Sequence, residues 1–250
     1  MTLAARDISV RYKQTVLGAV WAVLQPLTAV ILMTFVFGKL AGLKPDAGTS
    51  YAAMVLAGML PWQLFSNILS SCGQSMVSNA NLISKVYFPR VIVPLAALSV
   101  ALVDFAVMAV LFVPVLLWQG VWPGLPWLVL PAFLLLACAA ALGPALLITA
   151  LNVKYRDFRF VVPFLLQMGL YISPVAYSSS LVREKLGPAA AHVYALNPLV
   201  GVIDGFRWAL CGGAPPLLSE LAISCAVTVA FLAVGLSYFH KVERQFADVI

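Results

Sequence analysis

Residues 91–118 read VIVPLAALSVALVDFAVMAVLFVPVLLW, and Asp104 is the only charged residue among them. An α-helix needs about 20 apolar residues to cross the roughly 30 Å hydrocarbon core of a bilayer. Backbone amide and carbonyl groups in lipid must bond to each other, and a single segment achieves this only as a helix. This stretch therefore predicts a transmembrane α-helix.

Five further windows have the same character and extend this prediction along the chain. Of the 250 residues, 63% are hydrophobic and 10% are charged, and the mean hydropathy is +1.01. That composition excludes a water-soluble domain of this length. We predict an all-α polytopic membrane protein, a single domain over residues 1–250. Its six transmembrane helices are expected at residues 20–38, 51–69, 91–118, 127–151, 160–177 and 217–239.

Lysine and arginine are concentrated in alternate gaps between the predicted spans. If both termini are cytoplasmic, ten of the 15 basic residues lie inside and five lie outside. The positive-inside rule therefore predicts cytoplasmic termini. Because these charges are dispersed among loops, the net charge of +6 does not indicate nucleic-acid binding. The inside residues are Arg6, Arg11, Lys13, Lys85, Arg90, Lys154, Arg156, Arg159, Lys241 and Arg244, and the outside residues are Lys39, Lys44, Arg183, Lys185 and Arg207.

An amphipathic pattern precedes the first span, within residues 1–19. Ile8, Tyr12 and Val16 recur four residues apart and would share one face of a helix. Such a helix is expected to lie in the membrane interface. A frayed basic tail is the alternative.

The first cytoplasmic gap contains a short helix with an apolar face, predicted over residues 79–88. Pro89 ends it, because the residue before a proline is displaced from the α-helical region. An exposed apolar patch on such a helix is a candidate docking surface for a soluble partner, and contact with lipid headgroups is the alternative. The patch consists of Leu82, Ile83, Val86 and Tyr87, with Lys85 beside them.

The connection over residues 178–216 is much longer than ordinary loops. It contains two apolar pieces, residues 189–196 and 198–210, and each is too short to span a bilayer. Apolar segments of this length are typical of re-entrant or interfacial helices. We expect a re-entrant helical hairpin over residues 181–210, and a surface loop is the alternative.

Polar residues give this segment local detail. Asn197 is a suitable N-cap for the second piece, and Pro198 suits its first helical position. Asp204 and Arg207 are three residues apart, so they can pair on one helix face.

Asp104 lies midway along the third predicted span. An acid at a helix centre raises the insertion free energy by roughly 2.5–3.5 kcal/mol, so we expect it to face the protein interior. A structural role between helices is favoured over a role in transport.

Catalytic chemistry is missing from the sequence. There is no G-x-x-x-x-G-K-[ST] motif for ATP and no G-x-S-x-G nucleophile motif. The two histidines, His192 and His240, form no metal-binding motif with each other or with carboxylates. The energy for any work that this chain does is expected to come from another protein.

Short motifs occur in order along almost the whole chain. They are Arg11-Tyr12-Lys13-Gln14-Thr15-Val16-Leu17-Gly18 with Trp21 and Gln25-Pro26-Leu27; Phe88-Pro89-Arg90 with Pro94-Leu95; Leu102-Val103-Asp104-Phe105; Asn152-Val153-Lys154-Tyr155-Arg156-Asp157-Phe158; Ser173-Pro174-Val175; Asn197-Pro198-Leu199; Gly205-Phe206-Arg207; and Phe246-Ala247-Asp248. The ordered set resembles the ABC type-2 exporter permeases. More narrowly, it is similar to the membrane subunits that export O-antigen, capsule and teichoic acid polysaccharides.

The resemblance implies a transport subunit, not an enzyme, in the bacterial cytoplasmic (inner) membrane. Two copies of this chain would pair with two copies of an ABC ATPase, which binds ATP and Mg²⁺, so this chain needs no cofactor. The cargo would be a polysaccharide linked to undecaprenyl pyrophosphate.

The resemblance also implies roles for particular segments. Residues 79–88 would be the coupling helix that docks on the ATPase, and residues 181–210 would be a periplasmic gate. Gate residues would be Asn197, Pro198, Asp204 and Arg207. Aromatic side chains would line the sugar path, with Phe35, Phe37, Tyr171 and Tyr177 as candidates, although membrane packing predicts many of the same aromatics.

Other functions remain open from the sequence. An ABC type-2 exporter of a drug or lipid would share this architecture. A secondary transporter or channel would need no ATPase, but should show a second buried charge or repeat symmetry. An integral-membrane enzyme would need a catalytic cluster.

Overall fold

The computed structural model describes residues 4, 16–45, 49–85, 88–155, 157–243 and 246, and these residues form ten α-helices and no β-strand. The all-α prediction is confirmed for this part of the chain. A π-helical turn, Thr34–Leu40, continues α1, and a 3-10 turn, Leu125–Val129, precedes α5. The helices are α1 Val16–Met33, α2 Tyr51–Ser78, α3 Ala80–Lys85, α4 Ile92–Trp118, α5 Leu130–Lys154, α6 Phe158–Ile172, α7 Ser179–Leu186, α8 Pro188–Tyr194, α9 Pro198–Cys211 and α10 Leu218–Val242.

Among the described residues, four helical segments are long and apolar enough to cross a membrane. They are α2, α4, the 3-10 turn together with α5, and α10. Each overlaps a predicted span, and α2 continues nine residues beyond its predicted end at residue 69, to Ser78. Two shorter apolar helices, Leu24–Leu40 and α6, occupy the other two predicted windows. The chain has the helices of a multi-pass membrane protein, and the number of six crossings stays a prediction.

The predicted window 160–177 is wrong at its end. Helix α6 has 15 residues and ends at Ile172, which makes it about 22 Å long, less than the roughly 30 Å of a hydrocarbon core. Ser173 adopts an extended conformation, φ −80° and ψ 150°. It precedes Pro174, and the proline ring excludes helical geometry from the residue before it.

The predicted interfacial helix over residues 1–19 cannot be compared with the structure over most of its length. Residues 1–3 and 5–15 lie outside the described part of the chain. Residues 16–19 belong to α1.

Helix α2 is the centre of the bundle. It packs mainly against α5, α4 and α9, and its first half is buried on nearly all sides. Ser50 begins the helix, because its Oγ accepts a hydrogen bond from the Ala53 amide at 3.1 Å. The remaining long helix, α10, packs against α5.

Two glycines allow α5 and α10 to cross in backbone contact. A Cβ atom added at Gly235 would lie 2.2 Å from the carbonyl oxygen of Gly143. A Cβ atom added at Gly143 would lie 2.5 Å from the carbonyl carbon of Phe231. Small residues at a crossing bring membrane helices close enough for extensive van der Waals contact, which drives helix association where lipid replaces water.

The bundle has two distinct ends. At one end, α2, α5 and α10 begin and α9 packs against all three; we call this the α9 end. At the opposite end these helices finish next to α3, around a second apolar cluster; we call this the α3 end. That cluster is built on Met76, Ile83, Val93, Leu146, Ala150, Val153, Phe239 and Phe246.

The long connection after α6 contains three helices instead of the two pieces predicted. The unpredicted helix is α7, which packs against α8. Its sequence, SSLVREKL, has no apolar face long enough to be found from hydropathy. Unlike α7, helix α9 belongs to the core of the bundle, and all but four of its 14 residues are buried.

Candidate functional site

The N-terminus of α9 is formed as Asn197-Pro198 predicts. The Asn197 side-chain oxygen accepts a hydrogen bond from the Leu199 amide at 3.1 Å, and Pro198 is the first helical residue. The Asn197 side-chain amide donates to Ser173 Oγ at 3.0 Å. Asn197 therefore caps α9 and also holds it to the extended segment that follows α6.

Ser224 of α10 satisfies backbone groups where α8 ends and α9 begins. Its hydroxyl donates to the carbonyl of Ala195 at 3.1 Å and accepts from the amide of Gly201 at 3.2 Å. Helix ends leave such groups without partners inside the helix, and an apolar environment offers no water to replace them. A Cβ atom at Gly201 would lie 2.9 Å from the Ser224 Cβ, so the glycine permits this approach.

We expect Ser224→Ala to destabilise the protein by about 1–3 kcal/mol, because it leaves a buried donor and a buried acceptor unsatisfied. The measurement is thermal unfolding of the purified chain in detergent. Thr228→Val is the matched control, because the Thr228 hydroxyl only returns a hydrogen bond to the Ser224 carbonyl one turn earlier in the same helix. Equal midpoints for the two variants would contradict the role assigned to Ser224.

Arg207 of α9 is buried and binds backbone carbonyls. The residue is only 5% exposed. Nη1 donates to Tyr177 O at 2.8 Å, Nη2 donates to Val175 O at 2.8 Å, and Nε donates to Met54 O at 3.3 Å. The guanidinium group therefore joins three parts of the chain: α9, the first turn of α2 and the segment between α6 and α7.

Asp204 also reaches beyond its own helix. Ser179 Oγ of α7 donates to the Asp204 carboxylate at 2.6 Å. A second link joins α7 to α10, where Arg183 Nε donates to the Glu220 carboxylate at 3.1 Å. Because Asp204 and Arg207 each have strong partners on other segments, both contribute to tertiary packing. Their predicted pairing with each other stays a prediction.

Two tyrosines satisfy the C-terminus of α6. The Tyr194 hydroxyl lies 2.8 Å from the Ile172 carbonyl oxygen, and the Tyr177 hydroxyl lies 3.0 Å from the same oxygen and 3.1 Å from that of Tyr171. The two hydroxyls are 3.0 Å apart. Burial raises the pKa of the Tyr194 phenol, and its hydrogen bond to Tyr177 raises it further, so Tyr194 stays protonated as a donor.

A cavity of about 410 Å³ opens at the α9 end. Its wall combines two acids, two arginines, a serine-rich turn and one indole ring. Two of the predicted gate residues line it, whereas Asn197 and Pro198 lie at the other end of α9. The side chains that define its chemistry are Arg183, Asp204, Arg207, Trp208, Ser178 and Glu220.

The predicted path aromatics differ in exposure. Phe35 and Tyr171 are 51% and 58% exposed, whereas Phe37 and Tyr177 are half-buried. Their role along a sugar path stays a prediction. Asp104 of α4 is 7% exposed, so its side chain is buried within the helical bundle.

The predicted docking patch needs revision at the α3 end. Helix α3 covers only six residues of the predicted range, and Phe88-Pro89 is not helical. Ile83 is 6% exposed and packs in the second apolar cluster. It therefore anchors α3 to the bundle and cannot belong to an exposed patch. Leu82 is half-buried and Lys85 is exposed. Val86 and Tyr87 lie outside the described residues.

Sequence reasoning missed several groups of this region. Ser224 lay in an apolar window, and Tyr194 lay in an apolar piece without a distinguishing motif. Glu220 was visible in the sequence as an acid near the outer end of the last predicted span, but its ion pair with Arg183 was not. One usable signal was Gly201, three residues after Pro198, because a glycine in the first turn of a buried helix indicates a close neighbour.

The sequence profile of the ABC-2 type transporter family matches residues 1–211. The chain is 26% identical to an O-antigen export system permease protein, RfbA, of Klebsiella pneumoniae, over all of this chain and 94% of the relative. It is 25% identical to the RfbA of Myxococcus xanthus with the same coverage. It is 24% identical to the polysialic acid transport protein KpsM of Escherichia coli, over 97% of this chain and 92% of the relative. The family profile covers most of the chain, so the resemblance seen in the motifs is confirmed. The chain belongs to the ABC-2 type transporter family.

Proposed function

We propose that this chain is the membrane-spanning subunit of an ABC transporter that exports a lipid-linked polysaccharide across the cytoplasmic membrane. The observation that carries the proposal is the full-length similarity to export proteins for two different polysaccharides, O-antigen and polysialic acid. A match along the whole chain argues for a shared transport task, and not only for shared helices. The carrier in this proposal is undecaprenyl pyrophosphate.

The proposal divides the work between two kinds of subunit. This sequence has no phosphate-binding loop, so a separate ATPase would bind ATP and Mg²⁺ and drive transport. Two copies of this chain and two of the ATPase would form the complex. Exposed Lys85 and half-buried Leu82 of α3 are the described residues best placed to meet the ATPase, with Val86 and Tyr87 next in sequence.

The gate hypothesis concerns the α9 end. Side-chain contacts tie α7 to both α9 and α10, through Ser179–Asp204 and Arg183–Glu220. The Arg183 side chain keeps about a third of its surface exposed beside the cavity, so water can replace its ion pair with Glu220 when α7 moves away. We propose that α7–α9 form the periplasmic gate and that these two contacts break when it opens.

Reconstitution tests the proposed function. The chain is purified with its ATPase, placed in proteoliposomes and supplied with lipid-linked glycan extracted from cells in which export is blocked. We expect the glycan to stimulate ATP hydrolysis and to appear on the far side of the membrane. An ATPase with a Walker A lysine replaced is the control. Stimulation by hydrophobic drugs or phospholipid alone, without glycan transport, would favour the drug or lipid exporter instead.

Membrane orientation gives a separate prediction. Lys44, Lys185 and Lys154 are all exposed in the structure, so reactivity at these positions depends on the side of the membrane. We expect single cysteines at positions 44 and 185 to react in intact cells with an impermeant thiol reagent, and one at position 154 to react only after lysis. Labelling of position 154 before lysis would contradict cytoplasmic termini.

A further inference from the structure

The second half of α2 carries a line of polar side chains along one face. Gln63, Asn67, Ser70 and Gln74 are spaced by four, three and four residues. At 100° per residue these four positions fall within about 60° of each other and extend about 16 Å along the helix. We call them the α2 polar stripe.

The stripe lies on the open side of α2. Gln63, Asn67 and Ser70 are partly exposed and Gln74 is exposed, whereas Leu64, Ile68 and Cys72 on the other side are buried. Helix α2 packs against α4 and α5, and within the described residues its polar side stays partly exposed while its apolar side is buried. Helix α6 contacts α2 beside the stripe, where Gly169 approaches Trp62.

The three amides of the stripe have no partner within the described part of the chain. No described residue hydrogen-bonds to the side chain of Gln63, Asn67 or Gln74. An amide without a hydrogen bond in an apolar medium is unfavourable. Helix α2 is one of the four membrane-length helices. Gln63 and Asn67 lie inside the predicted span over residues 51–69, so a lipid-facing stripe would carry this penalty at both positions, and we exclude lipid as the environment of this part of the stripe.

The chemistry of the stripe fits carbohydrate. Each amide offers two N–H donors and a carbonyl acceptor, and the serine hydroxyl both donates and accepts. Sugar hydroxyl groups need both functions. The stripe has no charge, so it would bind many similar polyol units weakly in succession, and weak repeated binding lets a polymer move along a path.

We propose that the α2 polar stripe lines the transport path and hydrogen-bonds to the hydroxyl groups of the exported glycan. This inference rests on the proposed function and adds a binding surface to it. The proposed path aromatics would contribute apolar contact with sugar rings, and the stripe would contribute hydrogen bonds.

Thiol labelling of the complete permease–ATPase complex tests the proposal. Cys72, Cys138, Cys211 and Cys225 are first replaced, and retained export by this cysteine-free complex is required. Single cysteines are then placed at the four stripe positions. Controls are Val110 of α4 and Val229 of α10, which are 70% and 65% exposed on membrane-length helices and apolar in character.

We expect the stripe positions to react with a charged, water-soluble thiol reagent at least about tenfold faster than the controls, because thiolate forms readily only in contact with water. Adding lipid-linked glycan from export-blocked cells should slow labelling of the stripe and leave the controls unchanged. Together these results would support the proposal.

Other outcomes overturn it in distinguishable ways. Fast labelling that glycan does not slow would mean a water-facing stripe without glycan contact. Labelling that appears only after the subunits are separated would mean an interface between protein chains. Labelling as slow as the controls under both conditions would mean lipid contact. Failure of the wild-type complex to export glycan would instead refute the proposed function, and the labelling rates without glycan would still report where the stripe lies.

Discussion

Gly235→Ala is expected to destabilise the bundle strongly. The added methyl group would lie 2.2 Å from the Gly143 carbonyl oxygen, and that atom belongs to a helix backbone that cannot rotate away. Helices α5 and α10 would have to separate along their whole crossing. Overpacking of a core typically destabilises by 1–3 kcal/mol, and we expect at least about 3 kcal/mol here because backbone atoms collide. The measurement is the thermal midpoint and the monodisperse fraction of the purified protein in detergent.

The neighbouring position supplies the control for this prediction. Val234 is 55% exposed on the same helix. Val234→Leu therefore adds its extra methylene group outside the bundle and should leave the thermal midpoint nearly unchanged. Gly143→Ala should resemble Gly235→Ala, because its methyl group would collide with the backbone of Phe231. A Gly235→Ala protein as stable as the wild type would show that the two helices do not cross at these glycines.

Arg207→Leu is expected to have the second large effect. It removes a buried donor group from the carbonyls of Met54, Val175 and Tyr177, which lie on two different segments. Hydrogen bonds to a charged group are each worth about 1.5–3 kcal/mol, and abandoned buried acceptors add a desolvation penalty. We expect a loss of about 3–5 kcal/mol, measured by thermal unfolding, with loss of export in cells.

The geometry of the guanidinium group gives this prediction a sharper form. Arg207 uses three separate nitrogen atoms for three carbonyls, whereas lysine concentrates its donors on one nitrogen. Arg207→Lys should therefore recover only part of the stability that Arg207→Leu loses. Lys185→Gln, at an exposed position on neighbouring α7, is the charge-matched control and should be neutral. Full recovery by lysine would mean that positive charge alone, and not the fork of donors, holds this region.

Much of the architecture was predictable because a bilayer imposes strict rules on a chain. Four predicted windows overlap membrane-length helices, since length and hydropathy alone decide whether a helix can cross. The beginning of α9 was predictable for a local reason. An Asn cap and a Pro at the first helical position satisfy or remove amides within a few residues, so no distant part of the chain is needed.

Predictions failed where hydropathy outweighed a local signal or where the partner was distant. The window over residues 160–177 ignored the effect of Pro174 on Ser173, although that effect is local. The exposed patch around Leu82 assumed that every apolar residue of the short helix faced outward. Ile83 instead packs in the same apolar cluster as Phe239, more than 150 residues later, and no helical periodicity reveals which side of α3 faces that cluster.

The sequence by itself determined the membrane environment, the family and the ends of several helices, because hydropathy, motif order and capping act within a segment. Only the tertiary structure decided the contacts of Arg207 and the open side of α2. The sequence shows the spacing of the α2 polar stripe. Whether that face is buried depends on which helices pack around α2. Arg207 looked like a partner for Asp204 three residues away. Its carbonyl ligands lie about 30 and about 150 residues earlier, and only folding brings them within hydrogen-bond distance.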